Sequence, residues 1–386
     1  MIKVIKTFKI KLKPNNKQQT KMFQFCGAKR YAYNWAIAKE KENYAIGNSF
    51  LSDCELRKEF TQFKKKEENK WLYSISNDVT KQAIKDACNS YKNFFKGRAK
   101  FPKFKSKRFD KPSFYVDNIK IKFTSTHVKL ENISNSKKKN KAKLNWVRLQ
   151  EKNKIPTDCK YINPHVVFDG LNWFICVGIE YEDNTVKPIK EGIGIDLGIK
   201  DLAICSDRHT YKNINKTKTI KKLEKRKCRL QKSISRQYLK NKYRKTNNII
   251  KNEKTLLKLS HRLTNIRNNY LHQVTTEIIK REPSFIVIED LNVSGMMKNK
   301  HLSKAIQEEK FYEFRKQLEY KCKWNNIELR IVSKFYPSSK LCHCCGSIKK
   351  DLNLSDRIYK CECGYVEDRD YNASLNLKDA KIYTLA

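Results

Sequence analysis

Residues 2 to 13 (IKVIKTFKIKLK) alternate apolar and basic side chains, the period of a strand with one buried and one cationic face, and Pro14 ends it. Between Lys17 and Tyr44 the spacing changes: Phe23, Ala28, Tyr31, Trp35 and Ala38 recur as on one face of a helix. A second helix is predicted from a cap at Asn77 or Asp78 through Phe95, with Val79, Ile84, Ala87, Tyr91 and Phe94 on its apolar side. Residues 117 to 186 return to strand-like pieces (IKIKF, HVKLEN, HVVFDG, WFICVGIEY), divided by a Lys-rich run at 137–143 that reads as an exposed loop. With the first strand they predict a β-rich unit into which the helices are inserted.

After residue 187 a short apolar strand is followed by a long basic helical region, from about Ile220 to Arg281, and by another apolar strand. Leu223, Leu230 and Ile234, then Leu256, Leu259, Leu263, Ile266 and Tyr270, are spaced like heptads on either side of a polar break near Asn247, which predicts a helical hairpin over 217–281. A helix over about 303–325 and a strand over Glu328 to Val332 complete an order suited to an α/β layer with a parallel component. No repeat of fixed period is visible.

Charge narrows the class. The 386 residues carry 84 Lys and Arg against 40 Asp and Glu, a net +44, and a compact body with that self-repulsion wants a polyanion. Nucleic acid is the leading partner. An anionic membrane is second, but no run approaches 18 apolar residues and MIKVIKTFKIKLK lacks the apolar core of a signal peptide, so no membrane partner and a cytoplasmic location are expected. A hydrophobic fraction of 39% argues for folded structure, and the length for two or three packed units.

From Lys92 to Val116 Phe is interleaved with Lys and Arg, so that cations such as Lys100, Lys103 and Lys105 can follow phosphates while rings stack on bases. The alternative is a basic loop with Phe anchors in the core. Trp35, Trp146 and Trp173 are expected in the core.

Two predicted strands end in acids, at Asp196 in GIGIDLG and at Glu289 and Asp290 in FIVIEDLN. A third acidic segment, Glu367, Asp368 and Asp370, precedes what looks like a helix start. Functional groups in open α/β sheets gather at the carboxyl ends of strands, and convergent carboxylates suit Mg²⁺, a hard cation that takes oxygen ligands. Two such ions would serve phosphodiester hydrolysis. The alternative for each acid alone is a turn residue, a solvated side chain or a helix cap.

Thirteen Cys without a secretory signal do not suggest a disulfide framework, and five of them crowd near the C-terminus. Cys342, Cys345, Cys361 and Cys363 are assigned as four thiolates around a structural Zn²⁺, with Cys344 and His343 as spare ligands.

GIDLGIKDLA around Asp196, IVIEDLNVSGM around Glu289 and DRDYNASLNL around Asp370 resemble the three motifs of a RuvC-like nuclease domain. With the PSSK segment at Pro337 to Lys340, the Cys-rich stretch, the strand KTFKIKLKP, the helix GAKRYAYNWAIAKEK and FFKGRAKFPKFKSK, they resemble the transposon-encoded TnpB family nearly end to end. The resemblance implies a multidomain α/β and α+β chain: a β-barrel-like wedge unit (1–16 and 117–186), an inserted helical recognition domain (17–116), a RuvC/RNase H-like nuclease domain (187–335 and 365–386), and a zinc knuckle at 336–364. It implies an RNA-guided DNA endonuclease, a monomeric ribonucleoprotein whose guide RNA comes from the transposon end and pairs with double-stranded target DNA beside a short adjacent motif. Asp196, Glu289 and Asp370 become the Mg²⁺ ligands, with Asp368 in reserve and Asp290 and Asp201 pointing elsewhere on strand alternation. Tyr31, Asn34, Lys81 and Gln82 fall where relatives read the adjacent motif, and basic residues of 1–190 and 217–281 are expected on nucleic-acid backbones. A nuclease-inactive RNA-guided repressor on the same scaffold and a miniature type V CRISPR effector are the alternatives.

Overall fold

The computed structural model describes residues 2–131, 133, 143–157, 159–183, 188, 190–353 and 356–386, and divides into two compact units, 1–182 and 183–386. The first unit opens with β1 (Ile2–Lys13) and α1 (Asn16–Ala45), followed by α2 (Asp53–Phe63) and α3 (Asn77–Phe95). Six further strands follow: β2 (Ser113–Tyr115), β3 (Lys122–Phe123), β4 (His127–Lys129), β5 (Trp146–Leu149), β6 (Tyr161–Phe168) and β7 (Trp173–Asp183). They form one sheet in the order β2-β6-β7-β1-β5-β4-β3, antiparallel at β1–β5, β5–β4, β4–β3, β6–β7 and β2–β6.

The start of α1 is fixed by a reciprocal capping box between Asn15 and Gln18. The buried Gln18 amide also donates to the carbonyls of Leu144 and Trp146, which ties the helix to β5. Met22, Phe25, Ile37 and Ile84 are among the side chains that fill the core with the sheet. Trp173 belongs to that core and Trp35 packs against it, whereas Trp146 is only half-buried.

Two features of this unit differ from the sequence reading, and one expectation falls on residues that are not described. Ser113–Tyr115, placed within the inserted helical segment, pairs with β6 as an edge strand. Helix α2 was not anticipated, although its Ser52 to Glu55 capping box was legible. The Lys-rich run at 137–142 lies outside the described residues.

In the second unit β8 (Ile193–Leu197), β9 (Asp201–Cys205) and β10 (Thr210–Lys212) form an antiparallel meander, and α4 (Lys218–Lys240) and α5 (Asn247–Lys280) form the predicted helical hairpin. The remaining elements are β11 (Phe285–Glu289), α6 (Val293–Met296), α7 (Ser303–Glu309), α8 (Phe311–Trp324), β12 (Glu328–Val332), β13 (Ile358–Lys360), β14 (Val366–Asp368), α9 (Arg369–Lys378) and β15 (Thr384–Leu385). The sheet order is β10-β9-β8-β11-β12-β15, with β8, β11 and β12 mutually parallel, the parallel component expected from the element order. The helix expected over 303–325 is two helices broken at Lys310, whose backbone is left-handed (φ 57°), a break that no Gly or Pro announces.

Strand alternation sorts the two faces. Ile193, Ile195, Ile286 and Ile288 point into a core with Leu271, Val274 and Ile278 of α5 and Phe314 and Leu318 of α8. Val287 and Val332 point the other way, against Leu377 of α9 and Ala380. The hairpin has its own small core of Ile220, Leu223, Leu259 and Leu263. Among the described residues no helix is long and apolar enough to cross a membrane.

Candidate active site and zinc knuckle

Parallel register brings the first two acids together. Ile195 of β8 pairs with Ile288 of β11, so Asp196 and Glu289, each one residue further on, are neighbours at the carboxyl end of the sheet. Ile195 and Ile288 face the α5 and α8 core, so Asp196 and Glu289 face the α9 side. Helix α9 delivers the third acid. It approaches β8 so closely that only glycine fits at Gly194: an added Cβ would lie 2.5 Å from the Lys378 backbone nitrogen and closer still to the Ser374 carbonyl oxygen. The first turn of α9, carrying Asp370, is thereby held on the face that bears Asp196.

Electrostatics register that proximity. Burial, then the Asp370 and Glu289 carboxylates, push the Asp196 carboxyl up to about 7, against a smaller downward pull from the Arg369 guanidinium. Burial and the adjacent Asp290 also raise Glu289. The three acids do not collapse into a tight set: among the described residues, the cysteine cluster is the one group of three or more ligand-type side chains whose donor atoms all lie within 4.8 Å. What they offer is three hard carboxylate oxygens on one face of the sheet, the donor type a divalent cation such as Mg²⁺ takes.

The neighbouring acids are spent elsewhere. Asp368 is the N-cap of α9, its carboxylate accepting from the backbone N–H groups of Asp370 and Tyr371 at 3.0 and 3.1 Å. Asp290, on the opposite alternation to Glu289, forms an ion pair with Arg315 of α8. Asp201 lies at the start of β9, paired in register with Lys212.

The four cysteines of the predicted knuckle do come together. The Sγ atoms of Cys342, Cys345, Cys361 and Cys363 lie within 4.8 Å of one another, with Cys342 to Cys363 at 3.7 Å and Cys345 to Cys361 at 3.6 Å. Tetrahedral zinc with Zn–S bonds of about 2.3 Å requires S–S edges of about 3.8 Å, so the donor set fits Zn²⁺. Cys344 is exposed and outside the cluster. His343 is not in it either; its backbone N–H donates to Asn372. Gly346 (φ 75°) and Gly364 (φ 86°) take the left-handed turns that fold each Cys pair back on itself. Backbone N–H contact from Cys363 and the Ser347 hydroxyl lower the Cys361 thiol, while the neighbouring thiols raise Cys363, so the pair shares its first ionisation unevenly.

Sequence reasoning missed the residues that join the knuckle to the acids. Buried Asn372 donates to the Leu341 carbonyl (2.8 Å) and accepts from the His343 N–H, and Asn376 donates to the carbonyls of Ser338 and Leu341. Arg369 donates to the Asn353 carbonyl at 2.9 Å while its Nε is buried without a partner among the described residues. Asparagines at i and i+4 of one helix, aimed at a Cys-rich segment, were the available signal.

The nucleic-acid candidates of the first unit are dispersed. Tyr31 is 39% exposed and its hydroxyl donates to Asn69 at 3.3 Å. Asn34 is engaged at both ends of its amide with the Lys105 backbone, at 2.9 and 2.8 Å, which anchors the basic loop to α1. The Lys105 ammonium sits 3.8 Å from the Tyr33 ring centroid, and burial and Lys29 lower its pKa. Gln82 donates to Asp86 at 2.8 Å, Lys81 lies 3.9 Å from Asp78, and Lys100 and Lys103 are exposed.

Comparisons with known proteins identify the family and the fold. Three family models match: "Cas12f1-like, TNB domain" over 311–377, "Probable transposase" over 174–300, and "Helix-turn-helix domain" over 1–49. The last name does not describe the segment it matches, which is β1 followed by one continuous helix. The chain is 30% identical over 402 residues to "Putative RNA-guided DNA endonuclease InsQ" of Escherichia coli K12, covering 100% of this chain and 94% of that protein. The chain belongs to the TnpB family. A second TnpB-type relative, "Putative RNA-guided DNA endonuclease" of Streptomyces pristinaespiralis, is 29% identical over 98% of this chain and 89% of its own length. In three dimensions the chain is similar to the protein in a cryo-EM structure of a Cas12f1-sgRNA-target DNA complex, at TM-score 0.57, 13% identity and full coverage of both chains. TnpB and Cas12f1 thus share this fold.

Proposed function

We propose that this TnpB protein is an RNA-guided DNA endonuclease whose hydrolytic centre is Asp196, Glu289 and Asp370. One observation carries the assignment: acids from three distant stretches of chain neighbour one another on the α9 face of a sheet whose central strands are parallel, and Asp196 responds to both of the others. Full-length similarity to proteins named as RNA-guided DNA endonucleases supports the reading.

Sheet order and strand sense agree with an RNase H-like nuclease domain, preceded by a β-rich wedge unit with inserted recognition helices. The three carboxylates would hold Mg²⁺, and the ions would supply an activated attacking water and neutralise charge on the leaving oxygen. The chain itself contributes the placement: parallel register sets Asp196 beside Glu289, Gly194 seats α9, and the Asp368 cap fixes the backbone of Asp370. The net charge of +44 supplies the counter-surface for guide RNA and target DNA. A guide RNA from the transposon end, a monomeric ribonucleoprotein and a cytosolic site of action complete the proposal, with Tyr31, Lys81, Gln82, Lys100 and Lys103 as nucleic-acid contacts and Asn34 and Lys105 shaping the loop between them.

The test is purification with the co-expressed RNA, sequencing of that RNA, and challenge with a plasmid library of randomised flanks in Mg²⁺. Cleavage beside one flank, abolished in Asp196→Ala while guided binding persists, is the expected result. Binding of target by the wild type without cleavage would replace this reading with the inactive repressor.

A further inference from the structure

A cleft of about 550 Å³ opens immediately beside Glu289, among the loops that follow β8, β11 and β12. Of the three acids only Glu289 is in its wall, together with Asp290, and the cleft opens on the α8 side of the sheet; its floor is apolar: Leu197, Ile288, Leu291, Val293 and Phe311. Its rim carries Tyr312, Arg315 and Lys334. Tyr312 is 70% exposed and presents its ring to the cleft mouth without packing into a core. Arg315 is divided between Asp290 and Glu319 on its own side of the cleft. On the Lys334 side the ammonium lies 4.9 Å from the ring centre of Phe335, itself 82% exposed. An exposed ring and two cations around an apolar hollow are the elements of a site for single-stranded nucleic acid.

We propose that this cleft is a nucleotide subsite: it receives the base of a nucleotide flanking the scissile phosphate, stacked on Tyr312, while Lys334 takes the adjoining phosphate. The inference rests on the endonuclease reading above and adds residues to it. Charge decides the orientation. The carboxylate wall repels a phosphate unless a cation intervenes, so the phosphate beyond the cut belongs on the Lys334 rim and the base on the uncharged floor. Tyr312 is a positioning residue. By holding one neighbour of the scissile bond it limits the movement of the strand past the three acids.

The test uses the complete guided complex with Mg²⁺, comparing wild type with Tyr312→Ala, Tyr312→Phe and Lys334→Ala, each first checked for an unchanged melting temperature. Tyr312→Ala is expected to lower kcat/KM for strand cleavage about tenfold, with Tyr312→Phe close to wild type because the ring face is kept. Lys334→Ala should lower cleavage most at low salt and flatten its salt dependence, because one phosphate contact and the counterion it releases are lost. A single abasic site moved along the cleaved strand should slow the wild type at one position next to the cut and add nothing in Tyr312→Ala. If the wild type cuts but Tyr312→Ala cuts equally well, or the abasic lesion costs both proteins the same, the subsite is overturned. A wild type that never cuts would overturn the endonuclease reading itself.

Discussion

Gly194→Ala tests how the third acid is delivered. The added methyl would stand 2.5 Å from the Lys378 backbone nitrogen, 2.9 Å from the Lys378 Cβ, and nearer still to the Ser374 carbonyl oxygen. Non-bonded carbon contacts settle at about 3.5–4.0 Å, and two of these obstacles are backbone, so relief requires α9 to retreat from β8 by roughly 1 Å. Overpacking of this kind costs about 1–3 kcal/mol, which lowers the melting temperature by roughly 2–4 °C per kcal/mol in a unit of this size. The functional cost is larger in proportion, because displacing one catalytic group by about 1 Å loses about 10²-fold in rate. The assay is guided cleavage in Mg²⁺ alongside a thermal melt, with Gly27→Ala as control. Gly27 lies within α1 with nothing near its missing Cβ, so alanine there should be neutral or stabilising. A Gly194→Ala protein that melts and cuts like wild type would refute the seating of α9 against β8.

Two further outcomes are expected. Because burial and like charge raise the folded-state carboxyl of Asp196 to about 7, its ionised form opposes folding: the penalty is absent below the unfolded value, grows as pH rises toward 7, and is complete above it. In Mg²⁺-free buffer Asp196→Asn should therefore melt higher than wild type at pH 8 and equally near pH 4, and the Mg²⁺ needed for half-maximal cleavage by the wild type should rise as pH falls below 7; equal melting at both pH values would contradict the geometry. Cys361→Ser removes one of four thiolates, so zinc content by elemental analysis should fall below one per chain and cleavage should fall with it, since the β13–β14 hairpin that carries Cys361 leads directly into the cap of α9; retained zinc and full cleavage would separate the knuckle from the active site.

Local pattern was enough for much of this molecule. Alternation of period two marked β1, helical spacing marked α1, α3 and the hairpin, and paired Cys spacing marked the two halves of the sulfur cluster, because each of these signals lies within a few residues along the chain. Short sequence also placed acids at the ends of β8 and β11. What it left open was settled by contacts between distant residues. Cys344 and Cys345 are neighbours in sequence, and only the folded turn turns one sulfur inward and the other to solvent. Asp368 caps α9 through a contact only two and three residues long, whereas the closeness of Asp370 to Asp196 depends on α9 docking against β8. The edge strand at 113–115 exists because of a partner far along the chain, β6, and nothing in the local sequence announces the break at Lys310. A sequence fixes which groups are available and the period at which they repeat. Register, close approach and burial arise only when separate segments meet, and those decide which acids stand together.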